Sequence, residues 1–337
     1  MVRGATADGR PAANPAAWRA ALSGVLPDVL AQAVRGLSAE MAARAVELRV
    51  RLERPLLLVT ADGAHFLDAG GRAVADPGRA LHADARLVQA LVDRICGGSI
   101  YAVGEQLRQG FLTLPGGHRV GFGGRAVLGP ESSIHALTDI SSACIRIARA
   151  IPDVARPVLP RLLVRRRGGR SVLASTLVLS PPGAGKTTLL RDLARLASWG
   201  VPEMGLDGAQ VVIVDERSEL AGTFQGVPQH DVGPRTDVLD GCPKVEGIHW
   251  ALRALGPEAL VTDEIGTVRD AETLARAAHT GCTVIASAHA FDVAHARRRP
   301  GLAPLFDLGL FERLVVLSRR LGPGTVELVS ACGDGEG

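Results

Sequence analysis

Residues 180–188 read Ser180-Pro181-Pro182-Gly183-Ala184-Gly185-Lys186-Thr187-Thr188. They follow an apolar run of strand length and open a run with helical spacing, which is the context of a phosphate-binding loop. Glycines let such a loop curl so that successive N–H groups point at phosphate oxygens, and the positive end of the following helix strengthens that field. The pattern predicts a Walker A loop in which the whole segment binds the nucleotide, Lys186 contacts its outer phosphates and Thr187 ligates Mg²⁺.

One position departs from the strict motif, because Ser180 stands where glycine is usual. We expect local strain or a slightly different turn at Ser180. The departure leaves Gly185, Lys186 and Thr187 in place, and these residues carry the chemistry. The alternative is a chance Gly-Lys-Thr in an ordinary glycine-rich turn, and the flanking strand and helix patterns argue against it.

Acidic residues follow two further runs of strand type. One run ends in Asp263 and Glu264, which is typical of a Walker B motif that holds Mg²⁺ and polarises the attacking water. The other run ends in Asp215 and Glu216. Because ligands of open α/β sheets bind at the carboxyl ends of the strands, we expect these acids near the phosphate loop. Which of Asp215, Glu216 and Glu264 is the dominant catalytic acid stays open. The structural alternative for Asp263 and Glu264 is the acidic start of a helix, and for Glu216 and Arg217 it is a surface turn.

A third run of strand type ends in Ser287 and His289. Ser287 is a candidate hydrogen-bond partner of the terminal phosphate or of the water. His289 is a candidate catalytic residue that senses the state of the phosphate. A histidine with a purely local hydrogen bond is the alternative.

The second half of the chain alternates short apolar runs with helical stretches. The runs of buried-strand type are Val172–Leu179, Val211–Val214, Leu260–Thr262, Val284–Ser287 and Leu314–Leu317. Such alternation predicts an α/β fold with a largely parallel sheet that is covered on both faces. The first half instead has helical stretches followed by alternating strands, with a hairpin signal at Pro115-Gly116-Gly117, and predicts a smaller α+β domain. The expected organisation is a flexible tail at 1–15, the α+β domain at 16–152, a linker at 153–170 and the P-loop domain at 171–332.

Composition excludes several classes of protein. Of the 337 residues 47% are hydrophobic and 22% charged, which is ordinary for a globular protein. No uninterrupted apolar run approaches the roughly 18 residues of a spanning helix, and no secretory signal is present. The five cysteines show no CxxC pair, so neither a zinc site nor a disulfide frame is indicated, and a reducing cytoplasm fits. The net charge of +3, with seven phenylalanines and one tyrosine, makes nucleic acid an unlikely partner.

The chain resembles the stage III sporulation protein AA family, within the secretion ATPase group related to type II and type IV secretion motors. The resemblance covers nearly the whole chain beyond the tail and rests on specific blocks besides the Walker A loop. These blocks are Glu47–Arg51 with Arg54–Leu56, Ser99–Ala102 with Glu105–Phe111, Gly116–Gly121, Ile145–Arg149, Leu189–Asp192, Val214–Glu219, Gly226–His230, Arg235–Asp240 with Cys242–Lys244, and Thr262–Gly266.

This resemblance implies a RecA-like P-loop ATPase core behind the N-terminal domain, with ATP and Mg²⁺ as cofactors. It implies a homo-oligomer, which by resemblance to the family motors is a hexameric ring with ATP bound between subunits. Asp215 and Glu216 resemble the Asp box of such motors, Asp263 and Glu264 the Walker B motif, and His289 the His box. The implied role is to energise a secretion-like channel apparatus during endospore formation. The implied partners are membrane proteins of the stage III sporulation apparatus, with the chain in the mother-cell cytoplasm, peripheral at the membrane.

Ring ATPases commonly complete the site with an arginine from a neighbouring subunit. The candidates are Arg217, Arg235, Arg269, Arg119 and Arg146, and the sequence does not choose among them.

Two other functions stay open at this stage. The basic run 161–170 motivates a nucleic-acid-dependent P-loop ATPase, although such a run is more often a solvated linker face, and an anionic membrane surface is a further alternative partner. A switch or scaffold that binds ATP with little turnover is the second alternative.

Overall fold

The computed structural model describes residues 17–98, 103–108, 110–129, 134–149, 151–166 and 169–332. The tail expected at 1–15 lies outside the described residues, as does the block Ser99–Ala102. The chain divides into two compact units after Arg149.

The first unit packs helices against an antiparallel sheet. The described helices are α1 (Trp18–Ser23), α2 (Asp28–Gly36), α3 (Ala39–Arg44), α4 (Ala85–Ile95) and α5 (Gly104–Arg108). The strands are β1 (Ala45–Arg51), β2 (Leu57–Thr60), β3 (Gly63–Leu67), β4 (Ala73–Val74), β5 (Leu112–Leu114), β6 (His118–Leu128) and β7 (Ile134–Arg146). They pair in the order β4-β3-β2-β1-β7-β6-β5. Alternation in β1 buries Leu48 and Val50 against the helices, and a turn at Pro115–Gly117 joins β5 to β6 as the hairpin signal predicts.

His118, the first residue of β6, is buried in this unit. Its Nδ1 accepts a hydrogen bond of 3.0 Å from the Ala148 N–H. Its Nε2 is buried and has no hydrogen-bond partner among the described residues. Burial therefore lowers the pKa of His118 from 6.5 to about 4, because a charged imidazole would lose its hydration without compensation.

We expect His118 to make folding sensitive to mild acid. Between pH 6.5 and about 4 the unfolded chain binds a proton that the folded chain excludes. Stability is therefore lost as the pH falls through this window, by up to about 3 kcal/mol from this residue. Urea unfolding of His118→Asn, which retains an acceptor for the Ala148 N–H, should depend less on pH between 7 and 4 than that of the wild type. His82→Asn, at an exposed position, is the control, and parallel curves for wild type and His118→Asn would contradict the assignment.

The second unit is built around a sheet of mostly parallel strands. Its described strands are β8 (Leu163–Arg165), β9 (Ser171–Leu173), β10 (Thr176–Ser180), β11 (Val211–Asp215), β12 (Thr236–Asp240), β13 (Ala259–Thr262), β14 (Thr283–His289), β15 (Arg313–Ser318) and β16 (Thr325–Ala331). Its helices are α6 (Leu159–Leu162), α7 (Lys186–Trp199), α8 (Lys244–Ala254), α9 (Val268–His279), α10 (Val293–Arg298) and α11 (Ala303–Asp307). The main sheet has the order β12-β11-β13-β14-β10-β15-β16, and its pairs are parallel except β15 with β16.

Both faces of this sheet are covered, as the continuous apolar runs predict. In β10, Val178 belongs to one buried cluster with α7, whereas Leu177 and Leu179 belong to another with α8 and α9. The run expected as a single strand from 172 to 179 is divided between β9 and β10, because Ser175 turns to hydrogen bonds outside that strand: its hydroxyl accepts from the Val284 N–H at 3.1 Å. The α/β prediction is confirmed, and the strands β12 and β16 are additions to it.

The segment 153–170, expected as a linker, instead contains α6 and β8 within its described residues. Leu159 and Leu162 are fully buried in the core of the second unit, which anchors the segment to that unit. Several of its described arginines are paired with carboxylates of the same unit, whereas Arg161 donates to the Val329 carbonyl. Arg166 meets Glu312 at 2.7 Å, and Arg170 contacts Glu258 at 3.2 Å and Asp207 at 3.4 Å. These pairs do not favour the reading of the basic run as a nucleic-acid surface.

Candidate nucleotide-binding site

The segment 180–188 forms the loop between β10 and α7. Gly183 and Gly185 adopt φ values of 70° and 92°, which side-chain-bearing residues rarely adopt, and α7 begins at Lys186. Ser180 ends β10 with φ outside the left-handed region, so its backbone has no need of glycine. Its hydroxyl donates to the Pro181 carbonyl at 2.7 Å. The expected strain at Ser180 is therefore absent.

The turn between β15 and β16 packs against this loop. The Gly324 N–H donates to the Ala184 carbonyl at 2.9 Å, and a Cβ on Gly185 would stand 3.2 Å from the Gly324 nitrogen. Arg319 of the same turn approaches Gly183, with its Nη1 3.8 Å from the position that a Cβ would occupy there. The loop is thus flanked by a guanidinium that the sequence did not single out.

Lys186 lies buried at the start of α7, beside the end of β14. Its Nζ is 3.0 Å from His289 Nδ1, and His289 Nε2 is 3.0 Å from Glu264 Oε1. Because an ammonium only donates, Nδ1 accepts and Nε2 carries the proton donated to Glu264. Burial lowers the pKa of Lys186, and the charges of Glu264, Asp263 and Glu219 oppose that shift.

Glu264 joins this arrangement to Arg217. The Arg217 guanidinium is 2.7 Å from Glu264 Oε2, so Lys186, His289, Glu264 and Arg217 form a continuous hydrogen-bonded series, called here the four-residue chain. Burial raises the pKa of Glu264, but the hydrogen bond from His289 and the charges of Arg217 and Lys186 outweigh it and hold that pKa below its usual range. Glu264 is therefore ionised at neutral pH.

The main chain of Glu264 has a φ of 46°, in the left-handed region. Its N–H donates to Ser287 Oγ at 3.2 Å, and its carbonyl accepts from Lys244 Nζ at 2.9 Å. A non-glycine residue in this region costs of order 1–3 kcal/mol and persists only where neighbouring groups hold it. Contacts on both sides of the Glu264 backbone thus direct its side chain towards His289.

Asp263 is the other acid of the predicted Walker B motif and is buried. Its Oδ2 has no hydrogen-bond partner among the described residues. Burial first, and then the neighbouring Asp215 carboxylate, raises the pKa of Asp263 to about 7, although the charge of Lys244 opposes this. An unpartnered buried carboxylate oxygen beside the phosphate loop fits a site for a cation or for its bound water.

The donor set fits Mg²⁺ bound together with a nucleotide. In the part of the chain that the structure describes, no three His, Cys, Asp or Glu side chains group so as to hold a metal by themselves. Mg²⁺ does not require such a group, because it keeps several waters and takes one or two protein ligands plus phosphate oxygens. Thr187, half-buried on the first turn of α7, and Asp263 meet that requirement.

Asp215 and Glu216 differ in their surroundings. Asp215 is fully buried, and its two oxygens each accept a backbone hydrogen bond of 2.8 Å, one from Glu219 and one from Ala221. This geometry fixes the loop after β11. Glu216 is partly exposed, and its Oε2 lies 3.7 Å from Lys244 Nζ.

Of the arginine candidates in the second unit, only Arg217 contacts another predicted site residue. Arg235 donates to the Ser198 carbonyl at 2.6 Å, near the end of α7 opposite the phosphate loop. Arg269 pairs with exposed Glu246 at 3.4 Å. In the first unit Arg119 lies over the Phe111 ring at 4.3 Å, and Arg146 is 3.4 Å from Glu47.

Lys244 is the site residue that the sequence reasoning missed. A signal was available, since lysine occurs only at 186 and 244 in the whole chain and every other long cationic side chain is arginine. Both lysines are buried; Lys186 belongs to the four-residue chain, and Lys244 contacts it at the Glu264 carbonyl.

Comparison with known proteins identifies relatives along most of the chain. The sequence model of a family described as "Sporulation stage III, protein AA" matches residues 23–332. Stage III sporulation protein AA of Bacillus subtilis (strain 168) is 39% identical over 305 residues, which cover 90% of this chain and 92% of that protein. Protein SEEDLING PLASTID DEVELOPMENT 1 of Arabidopsis thaliana is 28% identical over 179 residues, 52% of this chain and 25% of its own length.

Solved structures of an ATPase and of a pilus motor share the fold. The ATPase DotB of Legionella pneumophila has a TM-score of 0.52 at 14% identity, covering 86% of this chain and 74% of its own. The pilus retraction motor PilT with bound ADP has a TM-score of 0.51 at 14% identity, covering 81% and 74%. The expectation of a RecA-like core is thereby confirmed. No helix among the described residues has both the length and the apolar character needed to span a bilayer.

Proposed function

The chain belongs to the sporulation stage III protein AA family, and we propose that it is a Mg²⁺-dependent ATPase within that family. The observation that carries the proposal is the four-residue chain, which sets Glu264 and Lys186 on the two sides of His289 beside the Walker A loop. A generic nucleotide-binding loop needs the lysine but has no need of an ionised, oriented carboxylate next to it.

The residues divide the work of hydrolysis between them. The loop 180–188 and Lys186 bind the phosphates, with Lys186 moving its hydrogen bond from His289 to a phosphate oxygen. Glu264 orients and polarises the attacking water. His289 lies between the two residues, accepting a hydrogen bond from Lys186 and donating one to Glu264. Bound Mg²⁺, held by Thr187 and Asp263, would neutralise charge that develops on the phosphates. Asp215 holds the loop that carries Glu216 and Arg217, so we assign it a positioning role.

The finer parts of the proposal concern assembly and context. We propose a homo-oligomeric ring, a hexamer by resemblance to the family motors, in which a neighbouring subunit completes the site. Its role would be to energise a secretion-like channel apparatus during endospore formation, with membrane proteins of the stage III apparatus as partners. The proposed location is the mother-cell cytoplasm, peripheral at the membrane. Membership in the family and the fold shared with secretion ATPases support these statements.

An ATP-binding switch with little turnover is the second candidate function. Both oxygens of Glu264 have partners, Oε1 with His289 and Oε2 with Arg217. Each oxygen can still accept a hydrogen bond from a water, but His289 and Arg217 hold the pKa of Glu264 low and so keep it a weak base unless one of them moves. If nucleotide binding does not cause that movement, the protein binds ATP and hydrolyses it slowly.

Hydrolysis of MgATP at several protein concentrations tests the proposal, with Lys186→Ala measured beside the wild type. We expect the specific activity of the wild type to rise with protein concentration, because a site completed by a neighbour requires assembly, and to vanish in Lys186→Ala. A wild-type rate equal to that of Lys186→Ala at every concentration would contradict an ATPase and favour the switch. A rate independent of concentration would contradict a shared site.

A further inference from the structure

Lys244 stands out because lysine is rare in this chain and because its side chain is buried. In a chain that otherwise uses arginine for its long cationic side chains, lysine is retained at 186 and 244 alone. Lys186 has a recognised place in the Walker A loop. Lys244, the first residue of α8, has 6% of its side chain exposed and lies among the acids at the carboxyl ends of β11 and β13. Burying a charge that has no function or partner is costly, so its contacts must explain it.

Those contacts converge on Glu264 and its neighbours. Lys244 Nζ donates to the Glu264 main-chain carbonyl at 2.9 Å and lies 3.7 Å from Glu216 Oε2. Its charge also acts on the buried carboxyl of Asp263. A buried ammonium here therefore offsets several carboxylates at once and holds the carbonyl of a residue whose φ is 46°.

We propose that Lys244 is a positioning residue: its ammonium, together with the Ser287 hydroxyl, clamps the left-handed backbone of Glu264 so that the carboxylate points to His289 and the nucleotide. Among the described residues, no hydrogen bond or ion pair joins Lys244 to the segment 180–188 or to the Glu264 carboxylate, so Lys244 acts on Glu264 through the main chain. The proposal rests on the ATPase function for its catalytic consequence. Its structural consequence, the ordering of the Glu264 backbone, does not depend on turnover.

The same geometry explains why this cation is a lysine. A compact ammonium can reach a single carbonyl and still approach Glu216, whereas a planar guanidinium presents a wide fork suited to bidentate acceptors. Close by, a Cβ on Gly247 would stand 2.6 Å from Cys242 Sγ and 2.7 Å from Val214 Cγ1, so the packing around the start of α8 leaves little room for a larger group.

Two measurements on the full chain test this inference with Lys244→Met, which keeps the length of the side chain without its charge. Hydrogen exchange should accelerate by about tenfold or more in the peptide that contains the Glu264 and Ile265 amides, because a charged hydrogen bond beside them is lost. The kcat for MgATP should fall by about 100-fold through misplacement of Glu264. The Kd of a fluorescent ATP analogue should change by less than about threefold, since the described contacts of Lys244 are with Glu264 and Glu216 and not with the segment 180–188.

Arg253→Met, on the exposed face of α8, is the matched control and should leave both readouts unchanged. A general structural defect would instead accelerate exchange throughout the second unit and weaken nucleotide binding together with kcat. If Lys244→Met does not fold, Lys244→Arg is tested in its place. We then expect the same local acceleration of hydrogen exchange at Glu264 and Ile265, with a smaller loss of kcat. Wild-type exchange and kcat in the folded variant would overturn the inference. A wild type without turnover above that of Lys186→Ala would overturn the ATPase proposal alone, because the exchange result still decides the role of Lys244.

Discussion

Replacing Glu264 by glutamine is expected to lower kcat for MgATP by about 10³-fold, the middle of the range for loss of a positioned general base. Glutamine has the same size and can still accept a hydrogen bond from His289, so the backbone and the loop should keep their structure. Nucleotide affinity should stay the same or improve slightly, because the charge that attracts Lys186 is removed. Phosphate release under saturating ATP measures kcat, and titration of a fluorescent ATP analogue measures affinity.

Glutamine substitutions at two other glutamates test whether the effect on kcat is specific to Glu264. Glu246→Gln changes an exposed acid on α8 that pairs with exposed Arg269, and it should leave kcat unchanged. Glu216→Gln changes the partly exposed acid 3.7 Å from Lys244, and we expect a loss well below that of Glu264→Gln. A wild-type rate in Glu264→Gln, or a larger loss in Glu216→Gln, would transfer the catalytic role away from Glu264.

Replacing Lys186 by alanine is expected to weaken ATP binding by about 100-fold, the upper part of the range for loss of a hydrogen bond to a charged group. Its ammonium lies at the start of α7, where it can leave His289 for a phosphate oxygen. The loss should be larger for ATP than for AMP, which lacks the outer phosphates. Isothermal titration with each nucleotide in the presence of Mg²⁺ measures the difference.

Arg253→Ala removes an exposed cation from the same unit and serves as the control for net charge. An equal loss of ATP affinity in both variants would indicate a general electrostatic effect. An unchanged affinity for ATP in Lys186→Ala would remove Lys186 from the binding site and would exclude a functional Walker A loop.

Most of the fold could be predicted from local features of the sequence. The phosphate loop was recognisable because its glycines and the start of α7 lie within nine consecutive residues, and the acid-tipped strands because apolar runs are followed directly by Asp263 or Asp215. Strain or a slightly different turn was expected at Ser180, yet it lies in ordinary strand backbone, since the positions that need a left-handed φ are Gly183 and Gly185. The segment 153–170 was misjudged as a linker because its prolines and arginines conceal the buried Leu159 and Leu162.

By itself the sequence determined the largely parallel sheet and the family and predicted the phosphate-binding segment 180–188, since these depend on apolar periodicity, contiguous blocks and neighbouring residues. Only the tertiary structure decided that Lys186 meets His289, 103 residues away, that His289 meets Glu264, 25 residues away, and that Arg217 pairs with Glu264. The order of strands in the sheet places β14 between β13 and β10 and thereby sets His289 between the Walker B acid and the Walker A lysine. The contact of Lys244 with the left-handed backbone of Glu264 was likewise decided by the tertiary structure. Such a contact is set by the packing of helices and strands that are distant in sequence.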